Sequence, residues 1–200
     1  KEWFDENRSR YVAAKKEMEA FVDELIENVS VWDQSVKGMR AKDCIFRIFR
    51  DTRFSNDKTP YKTNFGAFIT PDGKKCERAG YYVHIEPDNA FVSGGIYMPP
   101  AAELLKIRTA IFENAGAYKS IVANPAIAQN FQTVEDGKLK TAPRGFPKDF
   151  ENIDLLRNKH FAVSRRMSDE MIVSGQMRDF VLENFKTLHP LVNYINTILG

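Results

Sequence analysis

The chain of 200 residues has only two cysteines, Cys44 and Cys76, and they form no CxxC or CxxH spacing. Cys44 sits in an apolar pattern, where a buried reduced thiol is expected. The three histidines, His84, His160 and His189, lie in separate segments and no HExxH is present, so no metal site is expected. GxGxxG, GxxxxGK[ST] and GxSxG are also absent. A known nucleotide loop and a hydrolase elbow therefore lack support, and no cofactor is expected. No apolar run approaches the roughly 20 residues needed to span a bilayer, which argues against a membrane role. No secretory signal appears, although Lys1 starts in mid-pattern, as if upstream residues were missing. Together these features favour the cytoplasm.

Charge of one sign is lacking too: the formal net charge is only +2. Its distribution is uneven. Residues 1–36 carry five basic and nine acidic residues, residues 40–65 seven and three, and residues 138–166 eight and three. Two basic segments that met in the fold would make a positive cleft.

Hydrophobic content of 43% with 28% charged residues fits an ordinary globular chain. Phe4, Tyr11, Ala14, Met18, Phe21, Val22, Leu25 and Val29 recur at helical spacing. Residues 44–50, CIFRIFR, read as a strand apolar on both faces and so internal to a sheet. Strands follow at 64–70, 80–86 and 90–97, separated by Pro71-Asp72-Gly73 and Pro87-Asp88-Asn89 turns. Gly94-Gly95 suggests a bulge or a close approach to the backbone. Pro99-Pro100 starts a helix with an inward stripe of Ala101, Leu104, Leu105, Arg108, Ile111, Phe112 and Ala115. Short helices over 117–131, an irregular excursion over 137–150, a strand within 158–166 and two closing helices complete the pattern. This order predicts one α+β domain over residues 1–200, a mainly antiparallel sheet packed by helices.

The densest polar stretch is FRDTRFSNDKTPYKTNFGAF, Phe49 to Phe68. Arg47, Arg50 and Arg53, with Lys58 and Lys62, outnumber Asp51 and Asp57. Planar guanidinium donors match carboxylate or phosphate. Two readings stand. Either the aspartates lock the loop by internal ion pairs, or the surplus cations hold a ligand's anion. His84 shares a strand face with Tyr82 and Glu86, a set able to supply a general acid or base. Tyr61, His84 and Asp51 are the candidates for chemistry. Arg47, Arg50, Arg53, Asp57, Lys58, Lys62, Tyr82, Arg108 and Arg144 are the candidates for ligand binding. Arg108 is included because it lies on an apolar stripe, and Arg144 because it precedes Gly145 in a turn.

The stretch RIFRDTRFSNDKTPYKTNFGAF resembles the signature of an uncharacterised bacterial family, domain of unknown function 2461. The signature is approximately Arg-x-x-Arg-Asp-x-Arg-Phe, a short gap, then Asp/Asn-Lys-x-x-Tyr. Arg47, Arg50, Asp51, Arg53, Phe54, Asp57, Lys58 and Tyr61 match it. WFDENRSRY, GYYVHIEP, GGIYMP and APRGFP are also similar to family stretches. The resemblance covers most of the chain and implies no particular chemistry. The residues themselves point to an anionic small molecule, bearing phosphate or carboxylate, in a cleft beside the 50–63 loop. Nucleic acid is an alternative, because aromatics interleave with the basic segments. A structural or partner-binding domain with its arginines paired internally is another.

Overall fold

The computed structural model describes residues 2–53 and 56–200. The motif residue Phe54 lies outside them. The chain opens with α1 (Glu2–Glu6) and α2 (Arg8–Val29), so the first apolar stripe is carried by two helices. Met18, Val22, Leu25 and Val29 of α2 are buried as their spacing predicts. After α3 (Ala41–Cys44) come three consecutive strands, β1 (Phe65–Ile69), β2 (Gly80–Ile85) and β3 (Phe91–Ile96). Helices α4 (Ala101–Glu113), α5 (Ala115–Val122) and α6 (Pro125–Ala128) lead to the short β4 (Gln132–Thr133). The chain ends with α7 (Ile153–Leu156), β5 (Phe161–Arg166), α8 (Asp169–Val173) and α9 (Met177–Leu199).

The described strands form one antiparallel sheet in the order β1-β2-β3-β5-β4. The fold is α+β. Alternation along each strand divides the sheet into two unlike faces. On one face Tyr81, Val83, Val92, Phe161 and Val163 are buried. There they join α2, α4 and α9 in one continuous core. The α9 helix runs against β3, where a Cβ added to Gly94 would lie 2.9 Å from Leu188. Gly95 has φ +119°, and a Cβ there would lie 2.1 Å from the Phe161 carbonyl oxygen. The glycine pair is thus a place of close approach rather than a bulge, since the register runs unbroken through both residues.

Three sequence expectations are corrected. Residues 44–50 are not an internal strand. Cys44 ends α3, and only isolated bridges join Ile45 to Ala67 and Phe49 to Tyr61. The four steps from Ile45 to Phe49 face six from Tyr61 to Ala67, so a regular ladder has no common register. Phe46 and Phe49 are exposed, so the second apolar face is not covered. The two closing helices are one, α9, with Pro190 inside it. Leu188, Leu191, Val192 and Ile195 are buried on both sides of that proline, and this burial outweighs the one helical N–H that proline lacks. The inward stripe of α4 is rotated: Ile107 and Ile111 are buried, while Leu105 is 54% exposed. The short β4, directly after the 117–131 helices, was not foreseen. Among the described residues, no helix is long and apolar enough to cross a membrane.

Candidate functional site

Among the described residues, no helical layer covers the second face of the sheet. That face forms the floor of an open groove of about 990 Å³, at the upper end of the volumes typical of ligand pockets. Three cross-strand rows make the floor. Arg166, Phe91, His84 and Gly66 are register neighbours from β5 across to β1. Ser164, Ser93, Tyr82 and Phe68 form the next row, and Ala162, Gly95 and Gly80 the third. Phe46, Lys62 and Asn64 rise on the β1 side, and Asn130, Gln132 and Val134 on the β4 side.

Hydrogen bonding links two of these side chains, Tyr82 and His84, to Glu86 just past the end of β2. The Tyr82 hydroxyl lies 2.9 Å from His84 Nδ1, and His84 Nε2 lies 3.1 Å from Glu86 Oε2. Glu86 also accepts from Asn89 Nδ2 at 2.9 Å and from the Thr63 hydroxyl. These donors hold its carboxyl at a pKa of about 2, with Thr63 contributing most, then Asn89 and His84. Burial, with the nearby Glu86 charge, pushes the Tyr82 phenol up to about 12. His84 is 9% exposed and stacks on Phe91 at a centroid distance of 4.7 Å. Room for the Tyr82 hydroxyl comes from Gly66, where a Cβ would lie 2.5 Å from it.

Among the described residues, the groove lining includes Lys62, Lys74 and Arg166 and no aspartate or glutamate, while the side chain of Arg165 alternates onto the core face. None of the three makes an ion pair among those of the described residues. Arg165 directs its guanidinium to Asn184 of α9 at 3.1 Å. Lys74 Nζ donates to the Lys42 and Asp43 carbonyls at 2.9 and 3.2 Å. Lys62 Nζ sits 5.4 Å from the Phe46 ring centroid, and burial, then the charge of Arg47, lowers its pKa. Arg166 is exposed at the opposite end of its row.

Of the residues singled out in the sequence, Lys62, Tyr82 and His84 converge on this groove. Among the described residues of the 50–63 loop, only Lys62 lines it. Arg50 pairs with Asp57, and Arg53 pairs with Asp51 at 2.7 Å. Asp57 also accepts from the Thr59 backbone and hydroxyl, and these bonds with Arg50 hold it below the usual carboxylate range. Asp51 is likewise lowered, chiefly by Arg53. Lys58 Nζ donates to the Thr52 carbonyl at 2.9 Å. The loop's charges are therefore largely satisfied by the loop itself. Arg47 is exposed beside it. Tyr61 stacks on Phe4 at 4.2 Å, a contact that ties the loop to α1. Arg108 donates to the Asn158 carbonyl at 2.9 Å, and Arg144 lies in an exposed turn. Neither lines the groove.

Sequence reasoning missed Arg166, Ser164, Ser93, Asn64 and Gln132. Alternation within residues 161–166 would have put Ser164 and Arg166 on one face. Only the pairing of β5 with β3 reveals that this face is the one that carries His84.

An α+β protein with an open-faced antiparallel sheet, cationic at its rim and with a tyrosine–histidine–glutamate chain in its floor, is the class that fold and site define. The chain belongs to the family described as "Conserved hypothetical protein (DUF2461)", which matches residues 1–194. No curated protein and no solved structure matches it.

Proposed function

We propose that this chain binds an anionic small molecule, bearing phosphate or carboxylate, in the groove over the open face of its sheet. One observation carries the reading: among the described residues the lining holds the cationic Lys62, Lys74 and Arg166, none of them ion-paired, while the nearest carboxylate, Glu86, lies behind His84 and is engaged by Thr63, Asn89 and the imidazole. Uncompensated positive charge in a partly desolvated site favours an anion. Among the described residues Lys62 and Arg166 have no ion-pair or hydrogen-bond acceptor for their charged groups; Arg166 ends the His84 row and Lys62 stands on the β1 side. Phe46, Phe68, Tyr82, Phe91 and Tyr97 supply an apolar body to the same groove. The ligand is then an anion with a planar or apolar part. This moves the binding site from the 50–63 loop to the sheet. Cys44 and Cys76 are both free thiols, in keeping with a cytoplasmic protein.

Thermal unfolding against phosphate, pyrophosphate, dicarboxylates and nucleotides tests the reading. An anion at 100 times its Kd adds about 2.7 kcal/mol, a shift of roughly 5–10 °C for a chain of this size. Lys62→Ala and Arg166→Ala should each reduce that shift, and Arg144→Ala should leave it. No shift with any anion, or a shift indifferent to Lys62 and Arg166, refutes it.

A second reading rests on the same aromatics. An antiparallel sheet face with rings and a basic rim can stack the bases of a single strand. Stabilisation by oligonucleotides alone, falling steeply with salt, would favour it.

A further inference from the structure

The floor of the groove contains a proton path that binding alone does not use. Tyr82 and His84 alternate along β2 on the open side, and Glu86, one residue past its end, continues the series through its bond to His84. The Glu86 carboxylate is ionised and accepts only, so the His84 nitrogen facing it, Nε2, carries the proton. In the neutral imidazole Nδ1 is then the acceptor, and the Tyr82 hydroxyl donates to it. The chain of hydrogen bonds ends at the hydroxyl of Tyr82, a residue that lines the groove and whose Oη sits over Gly66. Behind it, the imidazole is nine-tenths buried against Phe91, so its orientation is set before a ligand arrives.

We infer that Tyr82 is a catalytic residue that exchanges a proton with the bound anion, with His84 as the base behind it and Glu86 orienting the imidazole. This rests on the anion-groove reading for its substrate, a carbonyl- or carboxylate-bearing molecule with an acidic C–H. In the forward step the substrate's C–H bond breaks and its proton goes to Tyr82 Oη. The phenol's own proton passes to His84 Nδ1. The C–H electron pair stays on the substrate, leaving an enolate-type anion and an imidazolium paired with Glu86. Reversal delivers the proton from the same face to another carbon of the delocalised anion, so an isomerisation needs no other reactant. The net base strength is the imidazole's, because the phenol loses a proton as it gains one. With the phenol raised to about 12, free phenolate does not accumulate near neutrality, and the two transfers are coupled. Lys62 and Arg166 line the same groove as Tyr82 and supply the positive charge that would offset the negative charge that develops.

A neutral probe tests the relay separately from the anion site. A base removes the ring C–H proton of 5-nitrobenzisoxazole, the N–O bond breaks, and a coloured cyanophenolate forms. The full chain should accelerate this reaction over buffer with saturation. Tyr82→Phe and His84→Gln should each lower kcat/KM at least ~10-fold, in line with the contribution of a positioned general base. Lys148→Ala, on the exposed 137–150 excursion, should leave it unchanged. Pyrophosphate-induced thermal shift is read on the same proteins. Loss of turnover with the pyrophosphate shift kept supports the relay. Turnover that depends on Tyr82 without any pyrophosphate shift supports the relay and refutes the anion reading. No acceleration by the wild-type chain, or acceleration equal in Tyr82→Phe, overturns the relay. Should a variant not fold, ¹⁵N spectra of histidine-labelled wild-type protein decide: a buried neutral imidazole protonated at Nε2 supports the proposal, and one protonated at Nδ1 overturns it.

Discussion

Gly66→Ala is the sharpest probe of how the groove floor is built. The new Cβ would lie 2.5 Å from the Tyr82 hydroxyl oxygen and 3.2 Å from two ring carbons. The glycine's φ is not positive, so alanine suits the backbone and gains about 0.4–1 kcal/mol by narrowing the unfolded ensemble. Against that, overpacking costs about 1–3 kcal/mol. Displacing the hydroxyl from His84 loses a hydrogen bond of about 0.5–1.5 kcal/mol. The net is a destabilisation of about 2 kcal/mol, or roughly 4–8 °C in Tm. In a Tyr82→Phe background the nearest atoms become ring carbons at 3.2 Å, and no hydroxyl bond remains to lose. There Gly66→Ala should cost no more than about 1 kcal/mol, which gives a coupling energy of about 1–2 kcal/mol. Urea unfolding of the wild type, both single variants and the double variant measures it. Effects that add within about 0.5 kcal/mol would mean that the hydroxyl is not seated over Gly66, and the relay geometry would fall with it.

The Glu86 carboxyl is held at about 2, below its ordinary 4.5, so its contribution to stability is complete above about pH 4.5 and is lost as pH falls towards 2. Glu86→Gln should therefore be less stable near neutrality and show a flatter fall in unfolding midpoint across that window; an unchanged acid limb would contradict the assignment. Burial raises the Cys44 thiol to about 11, whereas Cys76 is half-buried at the groove wall. At pH 8 a thiol reagent should titrate one cysteine in the native chain and both after unfolding, and two fast equivalents would refute the burial. On the core face, the Tyr81 hydroxyl donates to buried Asp33 at 2.9 Å and lies 2.7 Å from His189 Nδ1. Tyr81→Phe removes a partner from that carboxylate and should cost about 1–3 kcal/mol in chemical denaturation, while any anion-induced shift survives.

Local pattern alone was enough for much of this. The 3.6-residue recurrence in α2 and the alternation of Tyr81, Val83 and Ile85 against Tyr82, His84 and Glu86 are properties of short segments. The two faces of β2, and the grouping of a tyrosine, a histidine and a glutamate on one of them, follow from the two-residue period of a strand. The charge density of residues 47–62 was equally legible, as was the choice it posed between internal pairing and a ligand's anion. Which of those holds depends on where each carboxylate lands, and Asp57 folds back on Arg50 while Asp51 holds Arg53. Tertiary structure also decided that α9 continues through Pro190, because burial along both halves outweighs one missing N–H. Above all it decided the neighbour of β3. Residue 166 is 75 positions from residue 91, yet antiparallel pairing sets Arg166 beside Phe91 and in one row with His84. Periodicity reports which way a side chain faces; only the packing of distant strands decides what it faces alongside.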